Sequence, residues 1–219
     1  MDKEKIIEKT KEFVRNKLEG EGSGHDWWHI YRVYNIAISI AKTENKEVDI
    51  FVVKLGALLH DIADWKFNNG DTNVGANISK DFLQSLKVDN ETINHVADIV
   101  KNISFKGAGE KSNMKTLEGM IVQDGDRLDA IGAIGIARTF AYGGYDNREM
   151  YNPDINPENH ETFEQYKNSK GTTINHFYEK LLLLKDLMNT EAGRKYAKKR
   201  HKFMEEYLKE FYEEWNGNM

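Results

Sequence analysis

Apolar residues recur at intervals of three and four positions in five separate segments of this chain, and that spacing constrains the fold more than any other feature. In the first segment, Ile30, Val33, Ala37, Ile40 and Ala41 share one face of a helix. Comparable stripes lie in residues 48–62, 93–103, 177–188 and 204–215. No segment combines sustained period-two alternation with β-branched residues, the pattern that is typical of strands. The sequence therefore predicts an all-α fold of roughly seven to nine helices.

The chain has 219 residues, a length that suits one domain or two small ones and is ample for a core. Because no internal repeat, low-complexity tract or linker divides it, we predict a single domain over 1–219. Its motif-bearing core covers about 20–140, and its C-terminal helical part covers 174–217. Residues 143–173 form the longest stretch without a helical pattern and contain both prolines. A loop of this length in a compact domain is typically a lid, a binding loop or a mobile segment.

Charge and composition exclude several classes of protein. The 31 basic and 36 acidic residues give a net charge of −5, whereas gripping duplex DNA requires clustered positive charge. No uncharged apolar run approaches the roughly 18 residues of a membrane span, and the N-terminal segment lacks the apolar core of a signal peptide. Cysteine is absent, which removes disulfides, thiolate ligands and cysteine nucleophiles. We therefore expect a cytoplasmic protein without a membrane or nucleic-acid partner.

A histidine and an aspartate stand together at the end of the apolar run 55–59. His60 and Asp61 would emerge there from a buried helix, and burying either group costs several kcal/mol unless something compensates. A divalent cation would compensate both groups at once. Taken alone, such a pair is common by chance, and a helix-capping aspartate explains it equally well.

Two other segments, one before and one after this pair, carry further candidate ligands. His29 lies on the first amphipathic helix, and Asp126 lies among three acids within six residues, directly before the small-residue segment 130–137. Glycine and alanine in that segment allow close helix packing, which would bring the acids toward the interior. His25 forms a second His-Asp pair with Asp26, which is suited to cap the helix. His25 shares a helix face with His29, so a supporting or substrate role for it stays open.

The order His29, His60-Asp61, Asp126 resembles the HD-domain superfamily of metal-dependent phosphohydrolases, whose four ligands come from separate helices in the order H…HD…D. Further stretches resemble its bacterial YpgQ/YedJ-like group: HDWWHIYRV, LLHDIAD, ISFKG, QDGDRLDAIGAIGIAR, HFYEKLLLL and TEAGRKYAKKRHKFM. The similarity runs from about residue 20 to the last residue. It implies an all-helical HD bundle in which these four side chains hold one divalent ion.

The implied ligand set leaves the identity of the ion open. Two imidazoles and two carboxylates suit Mn, Fe, Co, Ni, Zn or Mg, and the resemblance favours Mn. Such an ion offsets phosphoryl charge and lowers the pKa of bound water. The resemblance also gives Asp64 the task of orienting or deprotonating the attacking water, while pairing with Lys66 or solvent is the alternative. His95 is the best-placed residue for an extra ligand if a second ion is held.

Four cationic or imidazole side chains are candidates to hold substrate phosphates: Lys106, Arg127, His176 and Lys180. Arginine offers a two-pronged donor to phosphate and lysine a point charge. The alternative is that such side chains cover the helix surface while their charged heads remain in water.

The resemblance implies hydrolysis of a nucleoside or deoxynucleoside triphosphate to monophosphate and pyrophosphate. Two alternatives are kept: a nucleotide phosphomonoesterase or phosphodiesterase on the same site, and a non-catalytic helical module that senses nucleotide and metal. A small-molecule nucleotide is the expected partner, and the sequence leaves homo-oligomerisation open.

Overall fold

The computed structural model describes residues 2–20, 22, 24–63, 73–104, 112–158 and 171–218. In these residues the chain forms nine α-helices, one 3-10 helix and no strand. The α-helices are α1 (Lys3–Lys17), α2 (Trp27–Ala41), α3 (Ile50–Leu59), α4 (Val74–Ser85), α5 (Asn90–Asn102), α6 (Leu117–Asp129), α7 (Gly132–Tyr145), α8 (Asn175–Glu179) and α9 (Glu191–Trp215). The 3-10 helix is Leu181–Leu187. The all-α prediction is confirmed.

Several helices begin where a side chain accepts the amide protons of the first turn. Asp26 caps α2 by accepting from the amide of His29, and Asp49 caps α3. Asp89 and Thr190 cap α5 and α9 in the same way. Each such cap satisfies a backbone donor that would otherwise lack a partner, and is worth about 1 kcal/mol. The polar residues between the apolar stripes therefore set where these helices start.

The contacts within the chain are concentrated in two compact units. The described residues up to 104 together with Ser112–Asp126 form the first unit, and those from 127 onward form the second. The division falls inside α6, which is one continuous helix. The predicted boundaries, with a core at about 20–140 and a C-terminal part at 174–217, stay a prediction.

In the first unit, α3 lies at the centre of the packing. It contacts α1, α2 and α5, and α4 packs on α5. The predicted apolar stripes form this core: Val33, Ala37, Leu55 and Leu59 are fully buried, and Val96 joins them from α5. Because α3 is apolar on all sides, eight of its ten residues are buried.

In the second unit, α9 packs on α7 and on the 3-10 helix, and α8 packs on the 3-10 helix. The rings of Phe177 and Tyr207 stack with centroids 5.9 Å apart. Two arginines bind groups at the end of α6: Arg138 pairs with Asp129 at 3.0 Å, and Arg200 donates to the Leu128 carbonyl. These contacts keep buried polar groups satisfied.

The apolar stripe at 177–188 differs from the prediction of one amphipathic helix. Helix α8 ends at Glu179, and Lys180 adopts φ −143° and ψ −58°, which is not helical. The chain then continues as a 3-10 helix, in which residues three apart share a face. Leu181 and Leu184 have that spacing and are buried. A stripe of mixed three- and four-residue steps fits an α-helix or a 3-10 helix, so it does not show where one gives way to the other. The prediction of one continuous helix over 177–188 was wrong.

The predicted loop at 143–173 begins in helix, because α7 extends to Tyr145. Two backbone bonds join its described flanks: the amide of Thr173 donates to the Glu149 carbonyl, and that of Ile174 to the Met150 carbonyl. Residues 159–170 lie outside the described part, so the lid remains a prediction. None of the described helices combines the length and the apolar composition that crossing a membrane requires.

Candidate metal centre

His29 lies in the first turn of α2 and is 1% exposed. The Asp26 carboxylate that caps this helix accepts a 2.9 Å hydrogen bond from the backbone amide of His29. The cap therefore fixes the backbone of the residue whose imidazole points into the interior.

His60 and Asp61 follow the last residue of α3, where the helix gives way to a turn. Nδ1 of His60 lies 2.9 Å from the carbonyl oxygen of Ala57, one turn earlier. A carbonyl only accepts, so Nδ1 carries the proton and Nε2 presents its lone pair. Metal-binding histidines are oriented in this way, through a bond from the other ring nitrogen.

Asp126 reaches the same place from α6 through a close helix crossing. A Cβ at the neighbouring Gly125 would lie 3.3 Å from the Val33 carbonyl oxygen and 3.4 Å from the Ala37 amide nitrogen of α2. Only a residue without a side chain lets the two backbones approach this closely without displacement. The crossing carries the Asp126 carboxylate to His29.

The side chains of these three elements converge within the first unit. Nε2 of His29 lies 3.2 Å from Nε2 of His60 and 3.5 Å from Oδ1 of Asp126. Nε2 of His60 lies 3.8 Å from the same oxygen of Asp126. Oδ2 of Asp61 lies 3.8 Å from Nε2 of His29. Residues far apart in the sequence thus present two nitrogens and two carboxylates to one small volume.

The spacing of these atoms fits a divalent ion. Bonds of about 2.0–2.2 Å place neighbouring ligands about 2.8–3.6 Å apart in octahedral or tetrahedral geometry, close to the separations observed. Two buried imidazole nitrogens facing each other at 3.2 Å, one of them deprotonated, also require a shared proton or a cation between them. The described residues contain two groupings of metal-ligand type, His29 with His60 and Asp126, and His29 with His25 and Asp61.

His25 makes the shortest contact of the cluster. Its Nδ1 lies 2.5 Å from Oδ2 of Asp61, and its ring meets that of His29 edge to face at 5.6 Å. Burial raises the pKa of Asp61, but attraction and a hydrogen bond from His25, with further attraction from His60 and His29, lower it well below its ordinary value. Asp61 is therefore an anion at neutral pH, as a ligand must be.

Known proteins are similar to this chain in sequence and in fold. Residues 27–131 match the HD domain family. The Bacillus subtilis protein YpgQ is 35% identical over 209 residues, which cover 94% of this chain and 92% of YpgQ. This chain belongs to the HD-domain family.

Crystal structures of HD-family relatives extend the likeness to the whole chain. An HD-superfamily hydrolase from Bacillus thuringiensis is 45% identical, with a TM-score of 0.74 over 98% of this chain and 99% of its own. The crystal structure of B. subtilis YpgQ in complex with ADP superposes with a TM-score of 0.73 at 31% identity, over 97% of this chain and 100% of YpgQ. The protein is accordingly an HD-superfamily hydrolase.

The predicted ligands His29, His60, Asp61 and Asp126 of this HD protein lie together, although Asp61 is paired with His25 rather than grouped with Asp126. Their role as ligands stays a prediction. The sequence favoured His29 over His25 as the ligand and left a supporting or substrate role for His25 open, on its four-residue spacing from His29. In the structure, His25 precedes the capping residue Asp26 and so lies before α2 rather than on its face.

The other predicted residues have different surroundings. Asp64 and Lys106 lie outside the described residues. In the second unit, Arg127 is buried and donates to the Leu187 carbonyl, while His176 lies on α8 and Lys180 directly after it, both half-buried. Their contact with phosphate stays a prediction.

His95, considered for an extra ligand, belongs to neither grouping in the described residues. Its Nε2 lies 2.8 Å from the Thr116 hydroxyl and 3.7 Å from Oε2 of Glu118. That neighbourhood gives His95 a hydrogen-bonding role between α5 and the start of α6.

Proposed function

We propose that this HD-superfamily hydrolase is a metal-dependent phosphohydrolase that cleaves nucleoside or deoxynucleoside triphosphates to the monophosphate and pyrophosphate. The observation that carries the proposal is the convergence of His29, His60 and Asp126 within 3.8 Å of one another, with Asp61 beside His29. Nitrogen and carboxylate ligands of this kind hold divalent first-row ions. We favour Mn²⁺ on the resemblance to the YpgQ-like group.

Three of the four proposed ligands are prepared for that role by a neighbour. The Ala57 carbonyl fixes the His60 tautomer, the Asp26 cap fixes the His29 backbone, and the Gly125 crossing sets the position of Asp126. When bound, the ion offsets phosphoryl charge and makes a water molecule nucleophilic near neutral pH. This ion would be held by His29, His60, Asp61 and Asp126.

Proton transfer and phosphate binding fall to other residues. On the resemblance to the HD superfamily, Asp64 is assigned to accept the proton of the attacking water. The water adds to the α-phosphorus of the triphosphate. The bond from this phosphorus to the oxygen that bridges the α- and β-phosphates then breaks, which releases pyrophosphate. Lys106, Arg127, His176 and Lys180 are assigned to the phosphates, which carry the charge that cationic side chains bind.

The nucleotide assignment rests on likeness to a relative. YpgQ has been crystallised with ADP, and this chain matches it over nearly its whole length. The ADP complex supports a nucleotide as the substrate class and leaves the cleaved bond to experiment.

The products distinguish the candidate reactions. Purified protein is incubated with Mn²⁺ and a panel of nucleoside and deoxynucleoside mono-, di- and triphosphates, and pyrophosphate is resolved from orthophosphate. Pyrophosphate with monophosphate supports the proposal. Orthophosphate as the sole product indicates a phosphomonoesterase, and hydrolysis of diesters indicates a phosphodiesterase. Binding of metal and nucleotide without turnover would indicate a sensor.

Removal of one proposed ligand tests the site itself. Asp61→Ala should abolish metal binding and turnover while the helical circular dichroism signal stays largely intact, because Asp61 lies in a turn after α3. Isothermal titration with Mn²⁺ and product analysis provide the measurements. Asp81→Ala removes an exposed carboxylate of α4 and serves as the matched control. Retained turnover in Asp61→Ala would count heavily against the assignment.

A further inference from the structure

The three residues before α2 do more than begin a helix. Gly24 adopts φ +89°, a conformation that favours glycine. The next residue, His25, then extends its ring to Asp61, thirty-six positions later, and Asp26 caps the helix. The turn therefore joins the helix that carries His29 to the turn that carries Asp61.

Asp61 lies in a turn, so the direction of its side chain has to be fixed by a residue from another part of the chain. It follows the last residue of α3, and a carboxylate on a turn can rotate about two bonds. The oxygen that His25 contacts at 2.5 Å is the one that lies 3.8 Å from Nε2 of His29. An oxygen with two lone pairs can accept one hydrogen bond and still bind an ion.

We propose that His25 is a positioning residue, whose Nδ1–H holds the Asp61 carboxylate beside His29 so that it meets the ion in the required orientation. The inference rests on the proposed metal role of this cluster. Partners of this kind set the direction of a ligand and raise its affinity for metal, and their loss typically weakens binding about 10–100-fold. The side chain of His25 is 30% exposed, so replacing it leaves little buried void.

A pair of amide substitutions isolates the donor from the rest of the ring. In His25→Asn the amide nitrogen occupies nearly the position of Nδ1, whereas in His25→Gln it lies nearer the position of Nε2. The two variants are similar in polarity and differ in the position of the amide nitrogen that donates the hydrogen bond. His25→Asn should retain most of the native affinity for Mn²⁺, and His25→Gln and His25→Ala should lose about 10–100-fold.

Isothermal titration with Mn²⁺ alone gives both affinity and stoichiometry, and circular dichroism verifies folding. His95→Ala, a histidine outside both groupings, should bind as the native protein does. Equal affinity in His25→Asn and His25→Gln, or native affinity in His25→Ala, overturns the inference. A fall from two ions to one in His25→Ala, with the remaining affinity unchanged, also overturns it and makes His25 a ligand of a second ion.

Failure of this inference can be told apart from failure of the proposed function. The titrations contain no nucleotide, so a protein that binds Mn²⁺, binds it more weakly in His25→Gln and His25→Ala than in His25→Asn, and hydrolyses nothing supports the positioning role and rejects the phosphohydrolase. Turnover with pyrophosphate release, together with unchanged affinity in all His25 variants, rejects only the positioning role. A native protein that binds none of Mn²⁺, Fe²⁺, Co²⁺, Ni²⁺, Zn²⁺ and Mg²⁺ rejects both.

Discussion

Single side chains in this protein take their chemistry from one or two neighbours. The imidazole of His60 has a defined orientation because a carbonyl one turn earlier accepts its Nδ1 proton. Asp61 is an anion because histidines offset the cost of its burial. Neither property belongs to the residue type alone, since an exposed histidine or aspartate has its ordinary pKa and rotates freely.

The lowered pKa of Asp61 predicts how stability depends on pH. In the folded state its pKa lies well below the ordinary value near 3.8, so the unfolded chain binds the proton first as the pH falls. The stabilisation is therefore fully present above about pH 5 and is lost as the pH falls through the folded pKa.

Asp61→Asn tests this dependence, because it lacks the charge at every pH. In EDTA at pH 7 we expect the variant to unfold with a free energy lower by about 1–3 kcal/mol, the worth of a charge-assisted hydrogen bond. The difference should shrink as the pH drops below about 4, because the unfolded chain then takes up a proton at Asp61 while the folded protein still holds the anion. Urea unfolding from pH 7 to pH 3 measures it. A difference that is constant over this range would contradict the prediction.

At the scale of helices, the site depends on how α2 and α6 cross. A Cβ at Gly125 would lie 3.3 Å from the Val33 carbonyl oxygen, which would have to shift by a few tenths of an ångström, and a larger side chain would crowd α2 further. Overpacking at such a contact typically costs about 1–3 kcal/mol. Because Asp126 is the next residue, displacement there moves a proposed ligand directly.

Gly125→Val should therefore both destabilise the protein by about 1–3 kcal/mol and weaken Mn²⁺ binding. Gly144 provides a matched control, because it lies near the end of α7 and a Cβ there would meet nothing within 4 Å. Gly144→Ala should bind Mn²⁺ as the native protein does and be more stable by up to about 1 kcal/mol. Urea unfolding and isothermal titration measure both effects. Native metal affinity in Gly125→Val would show that the crossing does not set the ligand position.

That a segment is helical could be predicted more reliably than the type or the length of the helix. Stripes at 30–41 and 93–103 correspond to α2 and α5 because a three-four spacing exposes one apolar face to a core. The same reasoning failed at Lys180, where a single non-helical backbone conformation separates α8 from a 3-10 helix. Leu181 and Leu184 are buried beyond this break, and the spacing of apolar residues does not record where the break falls.

At the scale of the whole molecule, the site exists only after folding. Position 29, the pair 60–61 and position 126 are distant in the unfolded chain, so an ion that needs all of them binds the folded state alone. Such binding stabilises the folded protein by mass action, by about 2.7 kcal/mol at a free metal concentration of 100 Kd. For a chain of this size, that corresponds to a rise in Tm of about 5–10 °C.

We expect Mn²⁺ to raise the Tm of the EDTA-treated native protein by this amount and to leave the Tm of His29→Ala nearly unchanged. Thermal unfolding followed by circular dichroism, with EDTA and with increasing Mn²⁺, measures both shifts. The comparison uses the shift for each protein, so any loss of stability from the substitution itself cancels. Equal shifts in the two proteins would indicate that the stabilising ion binds elsewhere.

The sequence by itself determined the helical class of this protein, because residues three and four apart in the chain are neighbours on a helix and their polarity can be read directly. It also singled out His29, His60, Asp61 and Asp126, since their order resembles a known motif. The tertiary structure alone decided that His25 pairs with Asp61 and that Gly125 lets α2 and α6 touch. Those contacts join residues dozens of positions apart, and their geometry follows from the packing of whole helices, which local spacing does not encode.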